Sequence, residues 1–246
     1  MAVRTRGGEG SSARPPSPAS CAPADRAEAA AAAAAGERAG AAAAAGERAG
    51  AAADTVPRRL LTAATRLFAE KGFDRTSVKE IVDAAAVTKG AMYHYFAAKD
   101  DLLAEVYARV LRMQMCRLEE IAASGGPVDD RLGRAAADVV VSTIANLDDA
   151  TIFFRSMHQL SAAKQREVRA ERRRYHELFR SLISEGQSEG VFADRVPADL
   201  VVDFYFGSVH HLSTWYRAEG ALTPAEIGAH YARLLLDALR PATAPA

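Results

Sequence analysis

Apolar residues recur at three- and four-residue steps along the chain after residue 54, which predicts helices. The first, "TVPRRLLTAATRLFAEKG", has Thr55 as a plausible N-cap and Pro57 in its first turn, and it stops at Gly72. Longer periodic segments predict helices at 99–122, 128–147, 151–160, 164–189, 198–218 and 224–239. Since no segment alternates convincingly between apolar and polar residues, we expect an all-α fold.

Two shorter helices follow the first one. "TSVKEIVDAAA" offers Ser77 and Glu80 as a capping box, with Thr76 as the rival cap. "VTKGAMYHYF" is a third helix with Thr88 as its cap, which brings the expected total to nine. Two short helices joined by a tight turn, behind a longer support helix, form a helix-turn-helix.

The third helix crowds aromatic rings together in the stretch "VTKGAMYHYFAAKDDLL". Consecutive helical side chains point to different faces, so the rings of Tyr93, His94, Tyr95 and Phe96 cannot all be buried. Some of them must therefore face solvent or a partner.

The segment "TRLFAEKGFDRTSVKEIVDAAAVTKGAMYHYFAAKDDLL" resembles the DNA-binding domain of the TetR/AcrR family of transcriptional regulators. The resemblance implies a DNA-binding domain at 55–101 and a helical effector-binding and dimerisation domain at 102–240. It also implies a homodimer on a palindromic double-stranded DNA operator, usually a repressor released by a small effector.

The family pattern also assigns the DNA contacts, while Met92 and Phe96 match inward-facing positions. The residues it implies at DNA are Thr76, Ser77, Thr88, Lys89, Gly90, Ala91, Tyr93, His94, Tyr95 and Lys99. Two departures stand out. Ala86 replaces the usual turn glycine, which puts a Cβ where φ is unfavourable, and Ala97-Ala98 replace the usual Pro-Ser, which removes a helix cap.

The helix predicted at 198–218 is apolar almost all round, so it must be buried on more than one side. In the family the last two helices form a four-helix interface with those of the partner. We therefore expect a dimer seam containing Val209, Leu212, Trp215 and Leu235.

A basic stripe on helix 164–189 contains Arg166, Arg169, Arg173 and Arg180. The C-terminal sequence is similar to regulators of lipid or steroid catabolism that sense acyl-CoA thioesters, in which arginines meet the CoA phosphates. The resemblance implies an effector site with these arginines and an apolar interior of Phe153, Phe154, Phe204 and Tyr205. A solvated arginine face and a different apolar effector are the alternatives.

Composition and motifs limit which other classes of protein the sequence fits. The 246-residue chain has no net charge, and residues 55–101 hold eight basic and six acidic residues, so any basic DNA-binding footprint is local. Two distant cysteines and isolated histidines predict no metal site, and no motif of an enzyme or cofactor-binding protein occurs. A helical scaffold without specific DNA binding is the rival to a regulator.

The ends of the chain differ from the rest. Residues 1–54 are rich in alanine and glycine, contain a duplicated "AAAAAGERAG" and balance six basic against six acidic residues. We expect this segment and residues 241–246 to be disordered, since they offer little to bury. No apolar run is long enough to cross a bilayer, and we expect a cytoplasmic protein.

Overall fold

The computed structural model describes residues 55–241, and this part of the chain contains helices and no strands. The helices are α1 (Val56–Lys71), α2 (Val78–Ala84), α3 (Lys89–Tyr95), α4 (Lys99–Ala123), α5 (Val128–Ala145), α6 (Leu147–Ser156), α7 (Ala162–Ser188), α8 (Ala198–His210), α9 (Leu212–Trp215) and α10 (Pro224–Ala238). A 3-10 turn at Met157–Gln159 precedes α7. The predicted all-α fold is confirmed. The tail predicted at 1–54, and all but the first residue of the tail predicted at 241–246, lie outside the described residues.

Two apolar cores lie along the molecule. The N-terminal core gathers α1, α2, α3 and the beginning of α4 around fully buried side chains such as Leu60, Ile81 and Met92. The C-terminal core gathers α5, α7, α8 and α10 around others such as Leu132 and Phe179. Each core is formed by the apolar stripes of amphipathic helices, whose burial is the main source of stability.

Helix α4 joins the two cores. Its first turns place Leu102, Leu103 and Val106 in the N-terminal core, and its later turns place Leu118 in the C-terminal one. Helix α6 also reaches the N-terminal core, through Ile152. Helices of the C-terminal domain therefore pack directly against the core of the DNA-binding domain.

Helices α5 and α10 approach each other closely at Gly228. A Cβ at this position would lie 2.9 Å from the carbonyl oxygen of Ala137 and 3.2 Å from a methyl group of Val141. The absent side chain is what allows the two backbones to meet. Helix α10 begins with the predicted capping box, in which Thr223 and Glu226 each accept a backbone N–H.

The helix predicted at 198–218 is interrupted at His211, between α8 and α9. The hydroxyls of Ser208, Ser213 and Thr214 donate to the carbonyls of residues three positions earlier. Such side-chain bonds compete with the helical ladder and bend helices. None of the helices in the described range is long and apolar enough to span a membrane.

Candidate DNA-binding surface and ligand cavity

The helix-turn-helix is held by local hydrogen bonds. Ser77 and Glu80 form the predicted capping box at the start of α2, and Thr88 accepts the N–H of Ala91 at the start of α3. Between them Ala86 has φ 51°, the left-handed conformation that favours glycine. Alanine adopts it at a cost of about 1 kcal/mol, so the sequence's first departure from the family pattern falls on a strained turn residue.

Helix α3 is anchored by one side and exposed on the other. Met92 is fully buried, whereas Tyr93 and Tyr95 are 46% and 51% exposed, and His94 is exposed as well. The His94 and Tyr95 rings meet edge to face at 4.9 Å. The exposed residues Thr88, Lys89, Gly90, Tyr93, His94 and Tyr95 form one surface, which we call the α3 surface; Ala91 is half-buried beside it.

Thr76 does not belong to such a surface. It is 1% exposed, and its hydroxyl lies 3.2 Å from the carbonyl oxygen of Leu67 and 2.9 Å from that of Gly72. The sequence prediction that its side chain touches DNA is therefore wrong, because the hydroxyl is used inside the domain. Ser77 remains exposed, with its hydroxyl bonded to Glu80.

The ammonium group of Lys99 is also turned inward. It donates to the carbonyl oxygens of Phe73 at 2.8 Å and Thr76 at 2.9 Å, and it lies 4.1 Å from the centre of the Phe73 ring. Lys99 thus ties the start of α4 to the loop before α2. In this arrangement it acts as a structural cross-link rather than as the phosphate-contacting lysine that the family pattern implies.

The lost cap at Ala98 is partly replaced. The carboxylate of Asp101 accepts the N–H of Ala98 at 2.8 Å, and it also forms an ion pair with Lys164 at the start of α7. The first turn of α4 is therefore bonded to the C-terminal domain, which connects the DNA-binding domain to the helices around the cavity.

The C-terminal domain contains a cavity between α4, α5, α7 and α8, with α6 at one side. Its empty volume, including its open mouth, is about 680 Å³. Most of the lining is apolar and aromatic. The polar residues that line it are Gln114, Thr143, Asn146, Asp149, Arg172, His176 and His210.

One part of the cavity is basic. The guanidinium of Arg172 lies 3.2 Å from each ring nitrogen of His210, and His176 stacks on Phe206 at 4.1 Å between ring centres. Burial and, to a smaller extent, repulsion by Arg172 lower the pKa of His176 to about 4 and that of His210 to about 3. Both imidazoles are therefore neutral near pH 7.

Another part of the cavity is acidic. Asp149 is buried on α6, with its Oδ1 atom 3.5 Å from the guanidinium of Arg109. Burial raises the pKa of this carboxyl to about 6, although Arg109 acts in the opposite direction. The hydroxyl of Tyr107 donates to the carbonyl oxygen of Ile152 on the same helix, at 2.9 Å.

The predicted effector residues do not meet in this cavity. Arg166, Arg169 and Arg173 are exposed on the outer face of α7, and Arg180 forms an exposed ion pair with Asp199 at 3.4 Å. None of the four lines the cavity, so the prediction that this stripe borders the apolar interior is wrong.

The prediction that Phe204 and Tyr205 line the effector cavity is also wrong. Phe204 is 76% exposed and points away from the interior. Tyr205 is buried, but its hydroxyl donates to the carbonyl oxygen of Ala136 at 2.6 Å and its ring stacks on Phe179, outside the cavity. Phe153 and Phe154 lie on α6, and their side chains are outside the described part of the structure.

Sequence reasoning missed Arg172. It lies four residues after Val168 and three before Tyr175, so it occupies the buried stripe of α7, while its neighbours Arg173 and Arg174 are exposed. A charged residue at a core position of an amphipathic helix was the available signal. The run "RRRY" obscured it, because all three arginines resemble one solvated patch.

The predicted dimer seam is wrong for Val209 and Leu212, which are buried in the core of a single chain. Leu235 is also buried but borders an exposed groove, and Trp215 is half-exposed on α9. This apolar groove lies between α8 and α10. We call it the α8–α10 groove, and its residues include Leu200, Phe204, Tyr205, Tyr231, Leu234 and Leu235.

These features define the class: a helix-turn-helix protein with an exposed recognition helix and a helical domain that encloses a cavity. Comparison with known proteins agrees with the resemblance in the sequence. Residues 60–106 match the description "Bacterial regulatory proteins, tetR family", and residues 125–239 match "Tetracyclin repressor-like, C-terminal domain". The chain belongs to the TetR family.

Individual relatives share most of this architecture. The HTH-type transcriptional repressor KstR2 of Rhodococcus jostii is 29% identical over 192 residues, which cover 73% of this chain and 89% of the relative. The ketosteroid transcriptional regulator KstR2 of Mycobacterium tuberculosis has a solved structure with TM-score 0.69 and 24% identity, covering 77% of this chain and 97% of that one. A structure of AibR in complex with isovaleryl coenzyme A and operator DNA has TM-score 0.64 and 19% identity, covering 76% and 99%.

Proposed function

We propose that this protein is a transcriptional repressor that binds a palindromic DNA operator as a homodimer and is released by a small effector with an apolar group, an acyl-CoA. The observation that carries the proposal is the α3 surface. It exposes three adjacent rings and Lys89 on a helix whose Met92 is fully buried, and an anchored helix with an exposed polar and aromatic face suits insertion into the major groove.

Within this surface the residues have different roles. Thr88, Lys89 and Gly90 lie at the N-terminus of α3, where the absence of a side chain at Gly90 and the positive end of the helix favour close approach to phosphate. Tyr93 and His94 lie further along the exposed face and reach base edges. We expect Lys89→Ala to weaken binding to every sequence and to lower the slope of log affinity against log salt by about 0.9.

His94→Ala should instead reduce the preference for the operator over random DNA, by about 1–3 kcal/mol for each base pair it reads. Arg134→Ala is a matched control, because it removes an exposed positive charge on α5, in the other domain and outside the α8–α10 groove. Fluorescence anisotropy with operator and scrambled duplexes at several salt concentrations measures both quantities. Equal losses on the two duplexes for His94→Ala would contradict base reading.

The α8–α10 groove supports the homodimer. Its rim residues Leu200, Phe204 and Leu234 are 58%, 76% and 69% exposed, an unusual concentration of large apolar side chains on one surface. A second copy related by two-fold symmetry would cover this face with the same residues. Two recognition helices would then read half-sites separated by one or more turns of DNA, about 34–36 Å each.

Two helices can transmit the effect of ligand binding in the cavity to the DNA-binding domain. Helix α4 contributes Tyr107 to the cavity and Leu103 to the N-terminal core. Helix α6 contributes Asp149 to the cavity and Ile152 to the same core. A ligand that shifts either helix changes the separation of the two α3 surfaces, and a pendulum movement of α4 remains our expectation. Coupling of about 1–3 kcal/mol is enough to release the operator.

The acyl-CoA effector is supported by the relatives, since AibR binds isovaleryl coenzyme A in its solved complex. The acyl group would enter the cavity, and the exposed Arg169 and Arg173 next to Arg172 on α7 would meet the CoA phosphates outside it. Decanoyl-CoA should therefore dissociate the operator complex at lower concentration than decanoate does.

The Arg169→Ala/Arg173→Ala double variant should lose the advantage of the thioester while keeping its affinity for DNA. Arg134→Ala/Arg217→Ala removes the same charge from exposed sites that line neither the cavity nor the α8–α10 groove, and it should behave like the wild type. If the α7 variant responds normally to decanoyl-CoA, the stripe is a solvated face.

A further inference from the structure

A cluster of uncharged polar side chains lies on the wall of the cavity, where α4 meets the C-terminal end of α5. Gln114 on α4, Thr143 on α5 and Asn146 just after α5 all line the cavity, and we call these three residues the amide cluster. The Nε2 atom of Gln114 lies 3.0 Å from the hydroxyl oxygen of Ser142, and the Nδ2 atom of Asn146 lies 2.8 Å from the carbonyl oxygen of the same residue. Both amides are therefore attached to Ser142, the chain neighbour of Thr143.

Hydrogen bonding to Ser142 fixes which end of the Gln114 amide is left for a ligand. The hydroxyl of Ser142 has a single proton, which it donates to the carbonyl oxygen of Val139 at 3.1 Å. The Ser142 oxygen can therefore only accept from Gln114, so the amide must present its nitrogen to Ser142 and keep its Oε1 atom as an acceptor. No residue in the described part of the chain donates to this Oε1 atom. Gln114 is 8% exposed, and its remaining surface lies on the cavity wall.

Asn146 is oriented in a similar way by the end of its helix. The last carbonyl groups of a helix lack backbone partners, and the side-chain nitrogen of Asn146 bonds to one of them, that of Ser142. This bond uses the nitrogen and leaves the Oδ1 atom of the half-buried Asn146 as an acceptor. The hydroxyl of Thr143, which is also half-buried, can both donate and accept. The amide cluster thus offers two oriented acceptors and one group that adapts to its partner.

The wall around the amide cluster is apolar. Val110 and Leu111 lie one turn before Gln114 on α4, and Val139 lies one turn before Thr143 on α5. An acceptor in such surroundings loses its hydrogen bonds to water when a ligand fills the cavity, which is costly unless the ligand supplies a donor. A ligand hydroxyl can donate to an amide oxygen and accept from Thr143. A keto oxygen can only accept, so it leaves the amide oxygens without a donor.

We propose that the cavity binds an effector with a hydroxyl group on an apolar skeleton, and that this hydroxyl donates to Gln114 and accepts from Thr143. The protein thereby distinguishes an alcohol from the corresponding ketone. Gln114 is the acceptor because it is buried, whereas the half-buried Asn146 can keep water. The donor is neutral, since the positive charge of Arg172 on the same cavity opposes an ammonium group. The proposal rests on the proposed function, in which this cavity is the effector site.

The test compares matched compounds that differ only around one oxygen. The first series is decanoyl-CoA with a hydroxyl, a keto or a methoxy group, placed in turn on each carbon from the middle of the acyl chain to the one before its end. The second series is cyclohexylcyclohexanol, the corresponding ketone and the corresponding methyl ether, which contain no CoA. Both skeletons have about ten to twelve carbons, a size that suits a cavity of this volume. Calorimetry and the shift of the melting temperature measure binding to the full chain, and operator release is measured in parallel.

At the best-fitting position we expect the alcohol to bind about tenfold more tightly than the ketone and than the methyl ether, since only the alcohol gives Gln114 a donor. The two series also separate the possible sources of the hydroxyl. Release of the operator by the cyclohexyl alcohol as well as by the thioesters would identify a free alcohol as a sufficient effector. A response confined to the first series would identify a hydroxylated CoA thioester.

Three substitutions locate the contact. Gln114→Met keeps the length of the side chain and removes the acceptor, so it should lower the affinity for the alcohol to that for the ketone. Thr143→Val keeps the shape and removes the hydroxyl, so it should weaken both compounds while the preference for the alcohol persists. Leu111→Ala is the matched control, because it removes an apolar part of the same wall and should weaken all compounds alike. If Gln114→Met fails to fold, the comparison among compounds on the wild type still decides.

The proposal is overturned if no alcohol binds more tightly than its ketone and its methyl ether, if folded Gln114→Met keeps the full preference, or if no compound of either series binds. A protein that still binds its operator specifically in those cases would keep the proposed regulatory function and lose only this ligand class. Loss of specific operator binding by the ligand-free protein would instead refute the regulatory function itself.

Discussion

Placing a charge in the α8–α10 groove should separate the proposed dimer without unfolding the chain. Phe204 is 76% exposed in a single chain, and the full accessible surface area of an aromatic side chain is about 200 Å². Covering its exposed part removes about 150 Å² from water, which at about 25 cal/mol per Å² amounts to about 4 kcal/mol. A two-fold interface contains the residue twice, for a total of about 8 kcal/mol.

Only part of this gain appears as affinity, because association also costs rigid-body and side-chain freedom. Taking half, Phe204→Glu should weaken dimerisation by about 4 kcal/mol, or about a thousandfold in Kd. The melting temperature of the separated chain should change little, since the substituted side chain lies outside both cores. Val209→Glu, at a position that is 1% exposed, should instead unfold the domain.

Sedimentation velocity over a range of concentrations gives the dimer Kd, and circular dichroism reports whether the helices persist. Leu222→Glu is the matched control, because it charges an exposed apolar residue that does not line the groove. The reasoning is refuted if Phe204→Glu and Leu234→Glu both remain dimeric with an unchanged Kd. A monomer produced by Trp215→Glu alone would move the interface to α9.

Three further outcomes are expected. Lys99→Met should lower the free energy of unfolding by about 1–3 kcal/mol, because two loop carbonyl oxygens lose a charged hydrogen-bond donor. Chemical denaturation measures this change, and an unchanged free energy of unfolding would show that the cross-link contributes nothing to stability. Gly186→Ala should destabilise the protein by about 1–3 kcal/mol, since its Cβ would lie 2.2 Å from the Phe192 ring. Gly207→Ala, with open space around it, should instead stabilise α8 by about 0.5–1 kcal/mol. His210 has a pKa near 3 in the folded chain and about 6.5 when unfolded, so below pH 6.5 it opposes folding increasingly as pH falls. In this range the melting temperature of His210→Gln should depend less steeply on pH than that of the wild type. Parallel curves of melting temperature against pH for the two proteins would contradict the burial of His210.

The sequence alone was sufficient for the fold class and for the helix-turn-helix. Local signals determine these features: a capping box at Ser77 and Glu80, a cap at Thr88, and apolar stripes at helical spacing, all of which the structure contains. Caps and periodicity act within a few residues, so they can be recognised without knowing what each helix packs against. The strained φ of Ala86 was expected in a different way, from the family pattern, in which a glycine occupies this turn position.

Only the tertiary structure shows which face of each C-terminal helix is buried and which is exposed. Val209, Leu212 and Phe204 are all apolar on one C-terminal segment, yet the first two enter the core and the third faces outward. A helix that is apolar all round does not indicate which side meets its own chain and which side meets a partner. That choice depends on where α5 and α10 lie, and the close approach at Gly228 sets their position.

The chemistry of the cavity was decided in the same way. Six arginines on α7 look alike in the sequence, but only Arg172 lies on the stripe that turns toward α4 and α8. Asp149, which begins α6 next to an equally acidic neighbour, becomes distinctive only when packing removes it from water and leaves Oδ1 without a hydrogen bond. Residue type and local spacing determine which groups are available, whereas burial and the neighbours brought by distant helices determine which of them can recognise a ligand.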